Sequence, residues 1–157
     1  MTSLTLVRRL AARPSIVFDA LTTPEGIAVW WGPDSGPVLI AETDVRVGGR
    51  FRVRFRTLDG SEHETMGHYL EVRRPERLVM SWRWLSGQED PGESRVEIDL
   101  RPISEGTELA LTHAGLFSEE SRGSHEHGWQ GALDKLERHF QTINPPLNET
   151  TTQEQTS

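Results

Sequence analysis

One stretch near the end of the chain, residues 118–143, limits what the rest can fold into. Trp129, Leu133, Leu136 and Phe140 recur at spacings of four, three and four. That places them on one stripe of an α-helix. His125 lies four residues before Trp129 on the same stripe, while Asp134, Lys135, Glu137 and Arg138 fall on the other side and are expected to be solvated. Ser118 is a suitable N-cap, and Glu119 and Glu120 suit the positive end of the helix dipole. Asn144-Pro145-Pro146 ends the helix, because a residue before proline avoids helical angles. A single amphipathic helix cannot bury its stripe alone, so it needs a sheet to cover.

The preceding residues supply one. Residues 4–9 alternate weakly and read as a strand. Pro14 opens a short helix with Ile16, Val17, Ala20 and Leu21 on its apolar face. A second short helix runs from about Glu25 to Trp30, and Trp31-Gly32-Pro33 breaks it. The period then switches to two. Residues 38–45 form an irregular strand. Residues 50–56 alternate strictly, with Phe51, Val53 and Phe55 on one face and Arg50, Arg52, Arg54 and Arg56 on the other. Asp59-Gly60 marks a hairpin turn. Next come strands with Met66, His68, Leu70 and Val72 in phase, then Leu78, Met80, Trp82 and Trp84. A polar loop over residues 86–92 leads to Val96, Ile98 and Leu100, and finally to Thr107, Leu109, Leu111 and His113. Short turns make neighbouring strands antiparallel. One polar face per strand leaves one face of the sheet in water, and the other curls around the last helix.

At 157 residues the chain makes one domain, expected over residues 1–143, and residues 144–157 have the polar, proline-containing composition of a disordered tail. No cysteine is present, which removes disulfides, thiolate nucleophiles and cysteine-ligated zinc. The net charge of −7 suits neither nucleic acid nor a phosphate-rich surface. Lys135 is the sole lysine among 17 basic residues, a bias of composition. With no charged-then-apolar leader and no apolar run of about 20 residues, the expectation is a cytoplasmic protein without a membrane partner.

Seven short motifs occur in order. They are Ala12-Arg13-Pro14 with Val17-Phe18; Trp30-Trp31-Gly32-Pro33; Gly48-Gly49-Arg50-Phe51; Gly67-His68-Tyr69-Leu70-Glu71-Val72; Pro75-Glu76-Arg77-Leu78-Val79 with Ser81-Trp82; Leu111-Thr112-His113; and Gly128-Trp129 with Leu133 and Leu136. Together they resemble the SRPBCC (START-like, helix-grip) superfamily, and within it the family related to the activator of the heat-shock-protein-90 ATPase. The resemblance implies an α+β helix-grip fold. In it a curved seven-stranded antiparallel sheet wraps around a long C-terminal helix, and two short helices follow strand 1. It also implies a cavity between helix and sheet that takes apolar or amphipathic ligands, as in lipid carriers, hormone receptors and polyketide cyclases of the superfamily.

On that basis the expected ligand-binding residues are Trp31, Phe51, Val53, Phe55, Met66, His68, Met80, Trp82, Trp84, Ile98, Leu111, His113, His125, Trp129 and Leu133. The first function expected is binding of a small hydrophobic or amphipathic molecule, with no cofactor. The second is a cyclase or hydrolase working in the same cavity, with His68 or His113 as general base, since imidazole titrates near neutral pH. The third is a chaperone-interacting or stress-response module; the additional N-terminal domain of eukaryotic activators has no counterpart here, which weighs against it. The exposed edge strand is compatible with a homodimer. His125-Glu126-His127 is not read as a metal motif, because the two histidines are two apart and Trp129 stands where a zincin needs the second. Gly128 and Gly131 are costly within a helix, which points to close backbone approach to the sheet or to room for a ligand.

Overall fold

The structure, a computed structural model, describes residues 2–85 and 92–143. Among these the elements are β1 (Thr2–Leu10), α1 (Pro14–Thr22), α2 (Pro24–Trp30), β2 (Val38–Thr43), β3 (Arg50–Arg56), β4 (Glu62–Arg73), β5 (Arg77–Trp84), β6 (Ser94–Ile103), β7 (Gly106–Leu116) and α3 (Glu119–Ile143). The expected tail and most of the expected polar loop lie outside the described residues. The strands form one curved antiparallel sheet in the order β1-β7-β6-β5-β4-β3-β2. Every strand from β2 to β7 pairs with its sequence neighbour, and β1 joins on beside β7. This is the helix-grip arrangement.

α3 begins where its cap chemistry puts it. Ser118 accepts the backbone N–H of Ser121 on its hydroxyl at 3.0 Å and that of Arg122 on its carbonyl at 3.0 Å. Trp129, Leu133, Leu136 and Phe140 are all buried, joined by Ala132. A fully buried Leu or Phe contributes about 1.5–3 kcal/mol over an exposed one, so this stripe is a major source of stability. α1 and α2 close one end. Thr23 caps α2 through Gly26 N–H at 3.0 Å, and the Trp30 indole N–H reaches back to Ala20 O at 2.8 Å. Phe18 joins Val17 and Leu21 in the core, and Ile16 and Ala20 pack against it half-buried.

The outward face of the sheet is a lattice of ion pairs. Arg52 bonds Glu64 at 2.7 Å, and Arg54 bonds the same carboxylate at 3.2 Å. Arg56 reaches Glu62 at 3.1 Å. Further along, Arg77 joins Glu97 at 2.7 Å and Asp99 at 2.9 Å. Arg52, Arg54 and Arg56 of the β3 row are therefore answered by acids on neighbouring strands, as cross-strand pairing favours.

β4 departs from its expected facing. The alternation counted from Val72 assigned Met66, His68 and Leu70 to the concave face. Val72 does pair with Leu78 and packs on the core. A register shift between Tyr69 and Glu71 then breaks the count, because a bulge adds one residue to one strand. Before it, His68 pairs with Arg50 and Met66 with Arg52, on the outward face. Leu70 is 44% exposed. Thr65, Gly67 and Tyr69 take the concave side and are buried. Gly67 is required there, since a Cβ would fall 1.9 Å from Ser81 O and 2.6 Å from Phe51 Cε1. Two substitutions check the facing by urea unfolding. Gly67→Ala should destabilise by about 3 kcal/mol or more through overpacking, and Leu70→Lys should stay within about 0.5 kcal/mol of the parent.

Candidate functional site

Along α3, Ser124, Gly128 and Ala132 follow at four-residue intervals, so one strip of the helix carries almost no side-chain volume. Opposite this strip lies a cavity of about 350 Å³. Trp30, Trp31, Gly32 and Pro33 wall it from α2 and the loop that follows. Phe55, Thr57, His63, Trp82 and Trp84 wall it from β3 and the turn after it, β4 and β5, and His125, His127 and Trp129 from α3. Gly128 and Gly131 do different things. A Cβ on Gly128 would meet nothing within 4 Å, whereas one on Gly131 would fall 2.0 Å from Pro33 O. Gly128 leaves space; Gly131 lets the loop after α2, rather than the sheet, lie against the helix.

The walls are stacked and crossed rings. Trp31 stacks on Trp82 at 5.2 Å and 18°, and Trp30 on Trp129 at 6.2 Å and 24°. Trp84 stands edge-on to Trp82 at 5.8 Å and 81°. Such arrangements add to plain area burial.

Hydrogen bonds fix the two interior histidines in the neutral state. His125 Nδ1 lies 2.8 Å from Ser121 O, an acceptor, so Nδ1 donates. Its Nε2 then accepts the Trp84 indole N–H at 2.9 Å. His113 Nδ1 accepts the Trp129 indole N–H at 3.0 Å. Its proton therefore sits on Nε2, which donates to Ser94 Oγ at 2.7 Å. Burial, and secondarily the neighbouring His125, holds His113 down at about 3. Burial also lowers His125. Two buried polar atoms have no partner among the described residues, Trp82 Nε1 and Thr65 Oγ1.

Lys135 is half-buried and not solvated as expected. Its Nζ donates to Trp31 O at 2.8 Å and Asp34 O at 2.6 Å, pinning the loop that walls the cavity. Asp34 fastens the same loop through Gly36 N–H at 2.9 Å and Leu58 N–H at 3.0 Å.

Of the residues expected at the site, Trp31, Phe55, Trp82, Trp84, His125 and Trp129 come together around the cavity. Phe51, Val53, Met80, Ile98, Leu111, His113 and Leu133 are buried in the packed core beside it. His68 is exposed and Met66 half-buried, both outward, which corrects their expected facing. Sequence reasoning passed over Thr57, His63, Ser124, His127 and Ala132. The spacing of small residues on α3 carried the signal for Ser124 and Ala132, and the true phase of β4 would have supplied His63. No group of three or more His, Asp or Glu that could hold a metal occurs among the described residues.

Residues 11–141 match the family model described as "Activator of Hsp90 ATPase homolog 1-like protein". None of the curated proteins compared with the chain matches it. Among solved structures, a protein from Chromobacterium violaceum is 29% identical with a TM-score of 0.80, over 88% of this chain and 96% of that one. The AHSA1 protein from Silicibacter pomeroyi is 26% identical with a TM-score of 0.77, over 88% and 96%. An AHSA1-like protein from Aeromonas hydrophila shares the fold, at 23% identity and a TM-score of 0.74, over 90% and 94%.

The pH dependence follows from the buried imidazoles. The unfolded chain takes up a proton on His113 near pH 6.5, and the folded protein only near 3. The stability that neutral His113 contributes is complete above pH 6.5 and is lost as pH falls toward 3. From pH 7 to pH 5 this one group should cost about 2 kcal/mol, read from urea midpoints, and His113→Gln should flatten that slope. The glycine pair gives an opposed result in thermal melts. Gly128→Ala should raise stability by up to about 1 kcal/mol through helix propensity, and Gly131→Ala should lower it by about 1–3 kcal/mol through overpacking.

Proposed function

This chain belongs to the Activator of Hsp90 ATPase homolog 1-like family, and we propose that it binds a small hydrophobic molecule in the cavity between α3 and the sheet. The observation that carries the reading is the cavity itself, about 350 Å³ lined by five indoles and Phe55. Sites for small molecules are typically concave, mostly apolar and about 300–1,000 Å³. An ordinary packed core would have closed this space with side chains at positions 124, 128 and 132.

A cyclase or hydrolase in the same cavity finds less support. A general base needs a free lone pair within reach of the substrate. Of the histidines expected at the site, His113 holds the Trp129 N–H with its lone pair, His125 holds the Trp84 N–H, and His68 faces outward; His63 and His127 remain as the other lining imidazoles. A chaperone partner is the alternative that the family description brings.

Native mass spectrometry of freshly purified protein separates these. A discrete added mass that disappears on denaturation is expected. Gly128→Leu, which grows a side chain into the open space, should abolish it while the protein still melts cooperatively. No added mass, together with no thermal shift from a panel of lipids and aromatic polyketides, would move the function to the surface, where a chaperone pull-down tests it.

A further inference from the structure

We propose that the cavity selects uncharged ligands carrying a hydrogen-bond acceptor, and that the indole N–H of Trp82 is the group the acceptor takes. The inference deepens the ligand-binding reading and rests on it.

Charge is the first argument. No Lys, Arg, Asp or Glu lines the cavity among the described residues. Lys135, which pins the cavity loop, is committed to the carbonyls of Trp31 and Asp34. His125 cannot take a proton on Nε2 without losing the Trp84 N–H, and its Nδ1 is already donating to Ser121 O. His63 and His127 complete the set of lining imidazoles, the first half-buried and the second exposed. A buried carboxylate or phosphate would therefore lose its water against walls whose only basic groups among the described residues are imidazoles, and a buried ammonium would find no carboxylate among the described walls.

The unpaired donor is the second argument. The indoles of Trp30, Trp84 and Trp129 each donate to a protein acceptor. Trp82, 4% exposed and in the wall of the cavity, has none. A buried N–H without an acceptor is costly, and a ligand oxygen relieves that cost where a purely apolar ligand does not. The Nε1 atom is closed to solvent in the unliganded protein, so a ligand takes the N–H only by displacing a neighbouring ring, and Trp31, stacked on Trp82 at 5.2 Å, is one such neighbour.

Four naphthalenes of one ring system test this, titrated at pH 8 against the intact protein by calorimetry. They are 2-acetonaphthone (neutral, with an acceptor), 2-ethylnaphthalene (neutral, without one), 2-naphthoate (anionic) and a trimethyl(2-naphthyl)ammonium salt (cationic). The ketone should bind about tenfold more tightly than the ethyl compound, the step that one good hydrogen bond gives, and more tightly than either ion. In Trp82→Phe, checked for folding by circular dichroism, ketone and ethyl compound should bind alike. Equal or tighter binding of naphthoate or the ammonium salt overturns the charge selection. Ketone and ethyl compound binding alike in the parent protein overturns the role of Trp82, with no variant needed. In either case the ligand-binding reading stands. Binding of none of the four, up to their solubility, overturns both.

Discussion

A curved sheet encloses more volume than one helix can fill, and the side chains of α3 decide where the surplus lies. In the second half of the helix Leu133, Leu136 and Phe140 fill the space completely, each 1% exposed or less. In the first half Ser124, Gly128 and Ala132 do not. The cavity is thus a consequence of residue size at one strip of one helix. Everything around it is arranged to keep that space from collapsing, and the tools are rings and hydrogen bonds.

Rings suit the task because they are large and stiff. Trp30, Trp31, Trp82 and Trp129 brace one another at centroid distances of 5.1–6.5 Å. Their polar handles bring a second requirement, since each buried N–H needs an acceptor. His113 and His125 meet two of these needs, and they do so only as neutral imidazoles of defined tautomer. The histidines that look like catalysts in the sequence thus serve as acceptors for tryptophans in the fold. Their low proton affinity comes from the same burial that makes the cavity apolar. Trp82 stands outside this accounting, next to the space where a ligand would sit.

The loop after α2 shows how tightly the cavity wall is held. Gly131 permits its backbone to touch the helix, Lys135 ties two of its carbonyls, and Asp34 binds it back on itself. Lysine suits this position because its compact ammonium donates in several directions from a flexible stem. The residue that composition marks only as the sole lysine has a specific contact.

Periodicity and short turns in the sequence settled the helices, the antiparallel pairing of successive strands and the inward faces of β3, β5, β6 and β7, because a period of 3.6 or 2 with apolar residues in phase has few other solutions. Taken with the family resemblance, the sequence also pointed to six of the aromatic and imidazole groups around the cavity. Only the tertiary structure decided the facing of β4 before Val72, since a bulge is one added residue in a pairing that involves a second strand. It likewise decided which inward residues meet open space and which meet one another, and which nitrogen of each histidine holds the proton. Those outcomes depend on distances between elements far apart in the chain, and spacing along the chain does not encode them.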